Sequence, residues 1–262
     1  MLELYPYIFK RKSYHLFRDN KTKEQYRDNY HITSSEIEEI YSAFKTFTPL
    51  IKDIKVEIKV AKNEEATCKR GQEYVILFYS EKKTNYLQNI GFLGEQLDLY
   101  LASKNIGALW FGIGSAKEKE VNGLSFVHMI AICKVPSDSF RKDMFKSKRR
   151  ETSEIYEGNK YTDIANIVRF APSSCNLQPW KMVDASKGIE VYRIKRPFLR
   201  GIIPLRKIVY QNLIDIGIFM CFIALALENS KIKYELIVSN DDEESKEEEV
   251  LACLFKIGEE ND

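Results

Sequence analysis

Two long apolar segments, each with a glycine at the same place, constrain the fold of this chain most. One runs from Ile90 to Ile106 and contains Gly91, and the other runs from Ile216 to Ile232 and contains Gly217. The two glycines are 126 residues apart, which is 217 minus 91. Segments that are apolar on all sides form buried helices, so the pattern predicts two core helices.

Other elements recur at nearly the same offset. Apolar residues with helical i, i+3 spacing, Ile37 and Ile40, lie opposite Ile164 and Ile167. Strand-like runs follow each core segment in the same order, at residues 108–111 and 127–135 and again at residues 234–237 and 250–257. We therefore predict an internal duplication. The alternative is that two unrelated buried helices resemble each other by chance.

Composition limits the partners and the compartment. The 262 residues include 40 basic and 38 acidic side chains, and a net charge of +2 gives no field that would concentrate nucleic acid or an anionic membrane. Five cysteines, an odd number with no C-x-x-C pair, favour a reducing compartment. The longest uncharged apolar run, Ile216–Leu227, is shorter than the roughly 18 residues that span a bilayer. We expect a cytoplasmic protein that binds neither nucleic acid nor membrane.

The most informative string, F-A-P-S-S-C-N-L-Q-P-W, occupies residues 170–180, directly after the second of the short amphipathic helices. Its prolines end the helix and stiffen the loop. Hydroxyl and amide side chains between them can hydrogen-bond to the edge of a heteroaromatic ring. The candidate residues are Pro172, Ser173, Ser174, Asn176 and Gln178. The alternative is a helix-ending turn that carries Trp180 into the core.

This string resembles the A-P-S-x-x-N-x-Q-P-W loop of the flavin-dependent nitroreductase superfamily, which contacts FMN from the partner subunit. The N-terminal string R-K-S-Y-H-L-F at residues 11–17 is similar to the opening R-R-S-x-R-x-F of the same family. There the basic residues and the serine hold the FMN phosphate and the pyrimidine side of the flavin. The resemblance thus implies FMN-binding roles for Arg11, Lys12, Ser13 and His15.

Two weaker strings extend the resemblance. Residues 146–155 are similar to the family's R-K-P-L-E-E-I segment, which implies that Lys148 and Arg149 return to the phosphate; a solvated basic linker is the alternative. Residues 110–114 resemble the turn whose backbone N–H groups approach flavin N5, which implies roles for Gly112, Ile113 and Gly114. An ordinary glycine turn is the alternative there.

The resemblance implies an α+β, three-layer fold with two pseudo-symmetric halves, each a small, mostly antiparallel sheet packed through the central apolar helices. We expect a first half at residues 1–145, a basic linker at 146–160 and a second half at 161–262. The phosphate motif occurs only in the first half and the polar loop only in the second. One complete site per chain follows, in a monomer that mimics the family's dimer.

By this resemblance the protein is an oxidoreductase that passes electrons from NAD(P)H through one FMN to a small acceptor such as a nitroaromatic or a quinone. The chain has no G-x-G-x-x-G fingerprint, and this family needs none. The main alternative is an FMN-binding protein for storage or redox sensing. A third is a cysteine enzyme using Cys175 with one of the histidines, His15, His31 or His128.

His15 departs from the family pattern, which has a permanently charged Arg or Lys near flavin N1 and O2. A histidine changes its charge near neutral pH, whereas an arginine does not. We expect the flavin potential to fall more steeply with rising pH than it would with arginine at position 15. The alternative is that His15 points to solvent or caps a carbonyl group.

Overall fold

The computed structural model describes residues 1–194, 203–241 and 248–258. The α-helices of this part of the chain are α1 (Ser34–Phe44), α2 (Tyr86–Ser103), α3 (Thr152–Ile155), α4 (Thr162–Val168) and α5 (Ile208–Asn229). The strands are β1 (Val56–Lys62), β2 (Tyr74–Ser80), β3 (Ile106–Trp110), β4 (Glu120–Val121), β5 (Leu124–Lys134), β6 (Tyr156–Glu157), β7 (Trp180–Ala185), β8 (Gly188–Ile194), β9 (Tyr234–Val238) and β10 (Glu249–Ile257).

The strands form two sheets with the same internal order. The first sheet has the order β1-β2-β5-β3, with β4 paired to β5, and all of its pairs are antiparallel. The second has the order β6-β7-β8-β10-β9, in which only β6 and β7 are parallel. Each half follows the path helix, two strands, long helix, two main strands. The predicted mixed α+β fold with two similar halves is confirmed.

The long helices α2 and α5 cross at the two repeated glycines. A Cβ atom at Gly91 would lie 2.0 Å from the carbonyl oxygen of Ile214, and one at Gly217 would lie 2.0 Å from that of Gln88. These contacts are reciprocal, because 214 and 88 are also 126 residues apart. Backbone touches backbone at this crossing, which only glycine permits.

Helix α5 is the apolar centre of the molecule. Its most apolar window has a mean hydropathy of 1.9, and by length and composition the helix could cross a membrane. In the fold, 89% of that window is buried inside the protein. The helix therefore serves as a core element here, packed against α2 and both sheets.

Both core helices end earlier than the apolar segments predicted. Ile106 is the first residue of β3, and Ile232 lies beyond the end of α5. A residue with a left-handed backbone follows each helix, Asn105 with φ 57° and Lys231 with φ 60°. A left-handed residue at this position terminates a helix, which apolarity alone does not indicate. The two are again 126 residues apart.

The predicted basic linker, residues 146–160, has structure of its own. It contains α3 and β6, and β6 pairs with β7 through Tyr156 and Met182. The Tyr156 hydroxyl donates to Asp184 Oδ1 at 2.6 Å. Part of this segment therefore belongs to the second sheet, while the proposed boundaries at 145 and 161 stay a prediction.

Candidate functional site

A cleft lies where the end of β3 in the first half meets the start of α5 in the second. Its main cavity has a volume of about 160 Å³, and a deeper cavity of about 90 Å³ shares part of its wall. The shared wall consists of His15, Leu109, Trp110, Ser174 and Cys175. Half of the residues expected from the sequence line these cavities: Ser13, His15, Gly112, Ile113, Pro172, Ser173 and Ser174.

The loop after α4 has an unusual backbone. Cys175, Asn176 and Gln178 have φ values of 50°, 57° and 50°, in the left-handed region that non-glycine residues seldom adopt. Such conformations persist only where the surroundings enforce them. Here the Gln178 backbone N–H donates to Ser173 Oγ at 2.9 Å, and the Arg150 backbone N–H donates to Gln178 Oε1 at 2.8 Å. The loop is thus shaped by its own side chains and by the linker.

The linker brings Arg149 and Lys148 to this loop. Arg149 Nη1 donates to Asn176 Oδ1 at 2.8 Å, and Asn176 Nδ2 donates to the carbonyl oxygen of Lys148 at 3.2 Å. Seven of the predicted residues do not line the cavities, and four of these form one adjoining group: Lys148, Arg149, Asn176 and Gln178. The Lys148 side chain is exposed, so within this group its carbonyl oxygen makes the contacts.

Four arginines lie close enough to perturb one another, and we call Arg11, Arg141, Arg149 and Arg169 the arginine cluster. Burial lowers the pKa of Arg149 to about 10, and the other three cations lower it too. In the described part of the chain no carboxylate lies within 4.0 Å of the Arg141 or Arg149 guanidinium. The buried Nε of Arg149 has no hydrogen-bond partner there either. An anion bound among these residues would relieve both deficits.

Arg11 is placed differently from the expectation that it clamps phosphate. Its guanidinium is buried, with Nε donating to Asp98 Oδ2 at 3.1 Å and Nη2 donating to Ser13 Oγ at 3.2 Å. Glu95 Oε1 is a further 3.8 Å neighbour. Asp98 therefore already balances this cation, with Glu95 beside it, which leaves Arg149 and Arg141 as the members of the arginine cluster without a carboxylate partner.

Lys12 also has partners within the protein. Its Nζ donates to the carbonyl oxygen of Ser139 and lies 4.5 Å from the centre of the Tyr14 ring. Burial, and then Arg141, lower the pKa of Lys12. Its charge adds to the positive potential of the arginine cluster, although its ammonium group is turned to Ser139.

The residues of the glycine turn after β3 differ in whether they face the cavity. Gly112 and Ile113 line the cavity, and a Cβ atom at Gly112 would lie 2.5 Å from Gln211 Oε1. Gly114 packs inward, where a Cβ atom would lie 2.6 Å from the sulfur of Met129, and its N–H donates to the Phe111 carbonyl oxygen at 3.2 Å. Its predicted backbone donor is thus already engaged, whereas Gly112 allows the close approach of α5.

Helix α5 contributes polar residues that the sequence motifs did not identify. Asp215 is 2% exposed and lines the deeper cavity. Its Oδ1 accepts from the Ser174 backbone N–H at 3.0 Å and from the Ser174 hydroxyl at 3.2 Å, whereas its buried Oδ2 has no partner among the described residues. Burial raises the pKa of Asp215 to about 7. The available signal was that Asp215 is the single charged residue between Ile208 and Leu227.

Gln211 and His128 complete this polar wall. Gln211 accepts from the Ser174 hydroxyl at 3.2 Å and donates to the Gly112 carbonyl oxygen at 3.1 Å, so it ties the loop of one half to the turn of the other. Burial lowers the pKa of His128 to about 4, which keeps its ring neutral at pH 7. A ring this weakly basic activates a thiol poorly, so the exposed Cys175 gains little support as a nucleophile from His128.

Comparisons with known proteins agree with this architecture. A family model described as "Putative TM nitroreductase" matches residues 3–227. A crystal structure from Thermotoga maritima described as a "putative nitroreductase" is 18% identical, covers 97% of this chain and 93% of that chain, and has a TM-score of 0.59. At this identity the likeness shows the fold alone. A search of curated proteins finds no match.

A second solved structure is more distant. It comes from Parabacteroides distasonis, is described as a "Putative NADH dehydrogenase/NAD(P)H nitroreductase", and is 12% identical with a TM-score of 0.43. It covers 60% of this chain and 98% of that one, and nothing further is built on it. The family match, in contrast, extends over far more than half of the residues. The chain therefore belongs to this nitroreductase family and is an oxidoreductase of nitroreductase type.

Proposed function

We propose that the protein holds one FMN in the cleft between its halves and uses it to pass electrons from NAD(P)H to a small acceptor such as a nitroaromatic or a quinone. The observation that carries the proposal is the arginine cluster next to the strained loop. Arg141 and Arg149 are half-buried, and cations that are partly removed from water without a carboxylate partner are costly unless an anion accompanies them. A phosphate group supplies the required charge and accepts several fork-like hydrogen bonds.

The residues present fit FMN in two parts. Arg149 and Arg141 would hold the phosphate, with Arg169 and Arg11 adding charge around them. The cavities beside them offer neutral hydrogen-bonding groups and flat apolar walls for the ring system, including Ser173, Ser174 and Trp110. The bound flavin supplies the electron-transfer chemistry, and the protein supplies binding, orientation and electrostatics.

The residues of the cleft also support sequential use of one space by two substrates. Gly112, Ile113, Ser174 and Cys175 all line the main cavity, and the side chain of Ile113 is 49% exposed. Without a G-x-G-x-x-G domain, a nicotinamide has no separate binding fold in this chain. The donor and the acceptor would therefore occupy the same face of the flavin in turn.

Absorption spectroscopy tests the proposal. The purified protein, or protein incubated with FMN and desalted, is expected to be yellow and to lose its flavin absorption on anaerobic addition of NAD(P)H. Adding a nitroaromatic or a quinone should then restore the colour. Flavin that binds but is not reduced favours the storage or sensing alternative, and protein that cannot be loaded with FMN contradicts both.

Arg149→Ala tests the phosphate site. Since a charge-assisted hydrogen bond contributes about 1.5–3 kcal/mol, the variant should bind FMN more than about tenfold more weakly and riboflavin almost unchanged. The adjacent Arg150→Ala is the matched control, because Arg150 is paired with Glu154 at 3.0 Å and should leave FMN affinity intact. Equal losses of FMN and riboflavin affinity in Arg149→Ala would show that Arg149 supports the loop, not the phosphate.

A further inference from the structure

A second and larger concavity lies beside the flavin cleft. Its volume is about 750 Å³, and it is formed by the N-terminal segment and the turn before β2. Four cationic side chains line it, and Glu64 is the single acidic residue among its lining residues: the cations are Arg18, Arg27, Lys69 and Arg70. We call this concavity the basic cleft.

The charges of the basic cleft are not balanced by the protein. Within the described residues, no carboxylate lies within 4.0 Å of any of the four cations. Lys69 and Arg27 are exposed, and Arg18 and Arg70 are half-buried. A wall with four cations and one carboxylate attracts a ligand with several negative charges.

The wall that carries these cations is well ordered by hydrogen bonds. The buried Gln72 donates to the Cys68 carbonyl oxygen at 2.7 Å and accepts from the Arg70 backbone N–H at 2.8 Å. The Phe17 backbone N–H donates to the Arg70 carbonyl oxygen at 2.9 Å, which joins this turn to the N-terminal segment. Side chains mounted on such a wall lose less freedom when a ligand binds.

Arg70 connects the basic cleft to the flavin cleft. It lines both concavities, and its guanidinium carbon lies 5.6 Å from the centre of the Phe111 ring, which also lines the flavin cleft. Leu16 borders the basic cleft immediately after His15 of the flavin cleft. A single extended ligand can therefore reach from one concavity into the other.

We propose that the basic cleft binds the phosphate groups of NADPH, including the 2′-phosphate, while the nicotinamide enters the flavin cleft. This rests on the proposed function, since it assigns the electron donor of the same site. In a chain without a glycine-rich dinucleotide loop, cationic side chains can neutralise the donor's phosphates. The basic cleft provides four cations for this, and the extra phosphate of NADPH adds nearly two negative charges compared with NADH.

Binding of adenosine 2′,5′-bisphosphate to the FMN-loaded protein tests the proposal without turnover. We expect it to compete with NADPH and to bind more tightly than 5′-AMP, which lacks the 2′-phosphate. The double variant Arg27→Ala/Lys69→Ala should weaken its binding at least about tenfold, because two exposed charge contacts with a phosphate are lost. The same variant should lower kcat/KM for NADPH more than for NADH, which lacks the 2′-phosphate.

Lys52→Ala is the matched control, because Lys52 is exposed, lies in the loop before β1 and does not line the basic cleft. It should change none of these values. Absence of adenosine 2′,5′-bisphosphate binding, or binding unchanged in the double variant, overturns the proposal. If that occurs in protein that binds FMN and is reduced by NADH, the proposed function stands and only the basic cleft has been misassigned. Protein that cannot be loaded with FMN contradicts the proposed function instead.

Discussion

The two central helices carry different polar residues at the same place, and this difference separates the two halves chemically. Asn89 on α2 accepts a 3.0 Å hydrogen bond from the backbone N–H of Ile51 through Oδ1, and Asp215 on α5 accepts one of the same length from Ser174. Asn89 and Asp215 are 126 residues apart. A neutral amide is therefore sufficient to hold the loop, and the carboxyl group at position 215 adds chemistry that the fold does not require.

The charged residues around Asn89 and around Asp215 also differ. At the start of α2, the corresponding region is closed by a buried ion pair from the second half, in which Arg193 donates to both oxygens of Asp241 at 2.6 and 2.7 Å. Gln88 fixes that pair by donating to the Asp241 carbonyl oxygen at 2.9 Å. At the start of α5, the corresponding region is the flavin cleft with Arg141 and Arg149, which have no carboxylate partner within 4.0 Å among the described residues. The region at the start of α2 thus satisfies its own charges, whereas the region at the start of α5 leaves cations for a ligand.

The helix crossing is the part that the halves share, and breaking it should have the largest effect. Gly91→Ala and Gly217→Ala each place a methyl group 2.0 Å from a carbonyl oxygen of the other helix. We expect each to destabilise the protein by about 3 kcal/mol or more, since the backbones must separate.

Urea denaturation followed by circular dichroism measures this loss. Gly258→Ala is the control, because nothing lies within 4 Å of its added Cβ, and it should change stability by less than about 0.5 kcal/mol. Tolerance of either core substitution would contradict the symmetric crossing.

Asp215→Asn gives α5 the same neutral amide that α2 has at Asn89. Because burial raises the pKa of Asp215 from 3.8 to about 7, the native state binds this proton more tightly than the unfolded state does. The stability that this bound proton confers is fully present below about pH 4 and is lost as the pH rises through 7. The total loss in the free energy of unfolding is roughly 4 kcal/mol. We expect the variant to lose less stability than the native protein between pH 5 and pH 8.

Thermal unfolding of the apoprotein across this pH range provides the measurement. The reciprocal variant Asn89→Asp should destabilise the protein by about 2 kcal/mol at pH 8 and less at pH 5, because it buries a carboxyl group with one backbone donor. If the stability of the native protein and that of Asp215→Asn depend on pH in the same way, the ionisation of Asp215 does not affect stability and the prediction is wrong.

The smallest expected effect is that of His15→Arg on the pH dependence of the flavin potential. Its side chain is exposed at the cleft, so solvent screens its charge on the flavin. We expect the flavin potential of the native protein to fall by about 30 mV or less beyond that of His15→Arg between pH 6 and pH 9, since about 30 mV corresponds to 1.4 kcal/mol. Superimposable potential curves in a spectroelectrochemical titration would place His15 outside the electrostatic environment of the flavin.

Much of the fold could be predicted from repetition and periodicity. The core helices, the paired strands and the loop at residues 170–180 lie where the apolar spacing and the prolines indicate. Trp180 lies in the core, stacked on Phe219 at 4.6 Å, as the alternative interpretation of the loop required. The ends of the core helices are set by left-handed residues such as Asn105. They depend on local backbone conformation, so the apolar pattern did not predict them.

The site was predictable where short motifs mark it and not where tertiary packing assembles it. Arg141 and Arg169 lie 28 residues apart in sequence and join Arg149 only through folding. Asp215 was not predicted because it lies in an apolar helix that the sequence motifs do not cover. An isolated acidic residue in such a helix nevertheless indicates a candidate site residue. The partners of Arg11 on α2 could not be inferred from a motif in another segment.

We infer that one chain carries one flavin site, in a protein that needs no second copy of itself. Native mass spectrometry of protein loaded with excess FMN and then desalted tests this most directly. We predict a single chain with one FMN, which is lost selectively in Arg149→Ala and retained in Arg150→Ala. Two FMN molecules per chain, or FMN retained only in a dimer, would contradict the account.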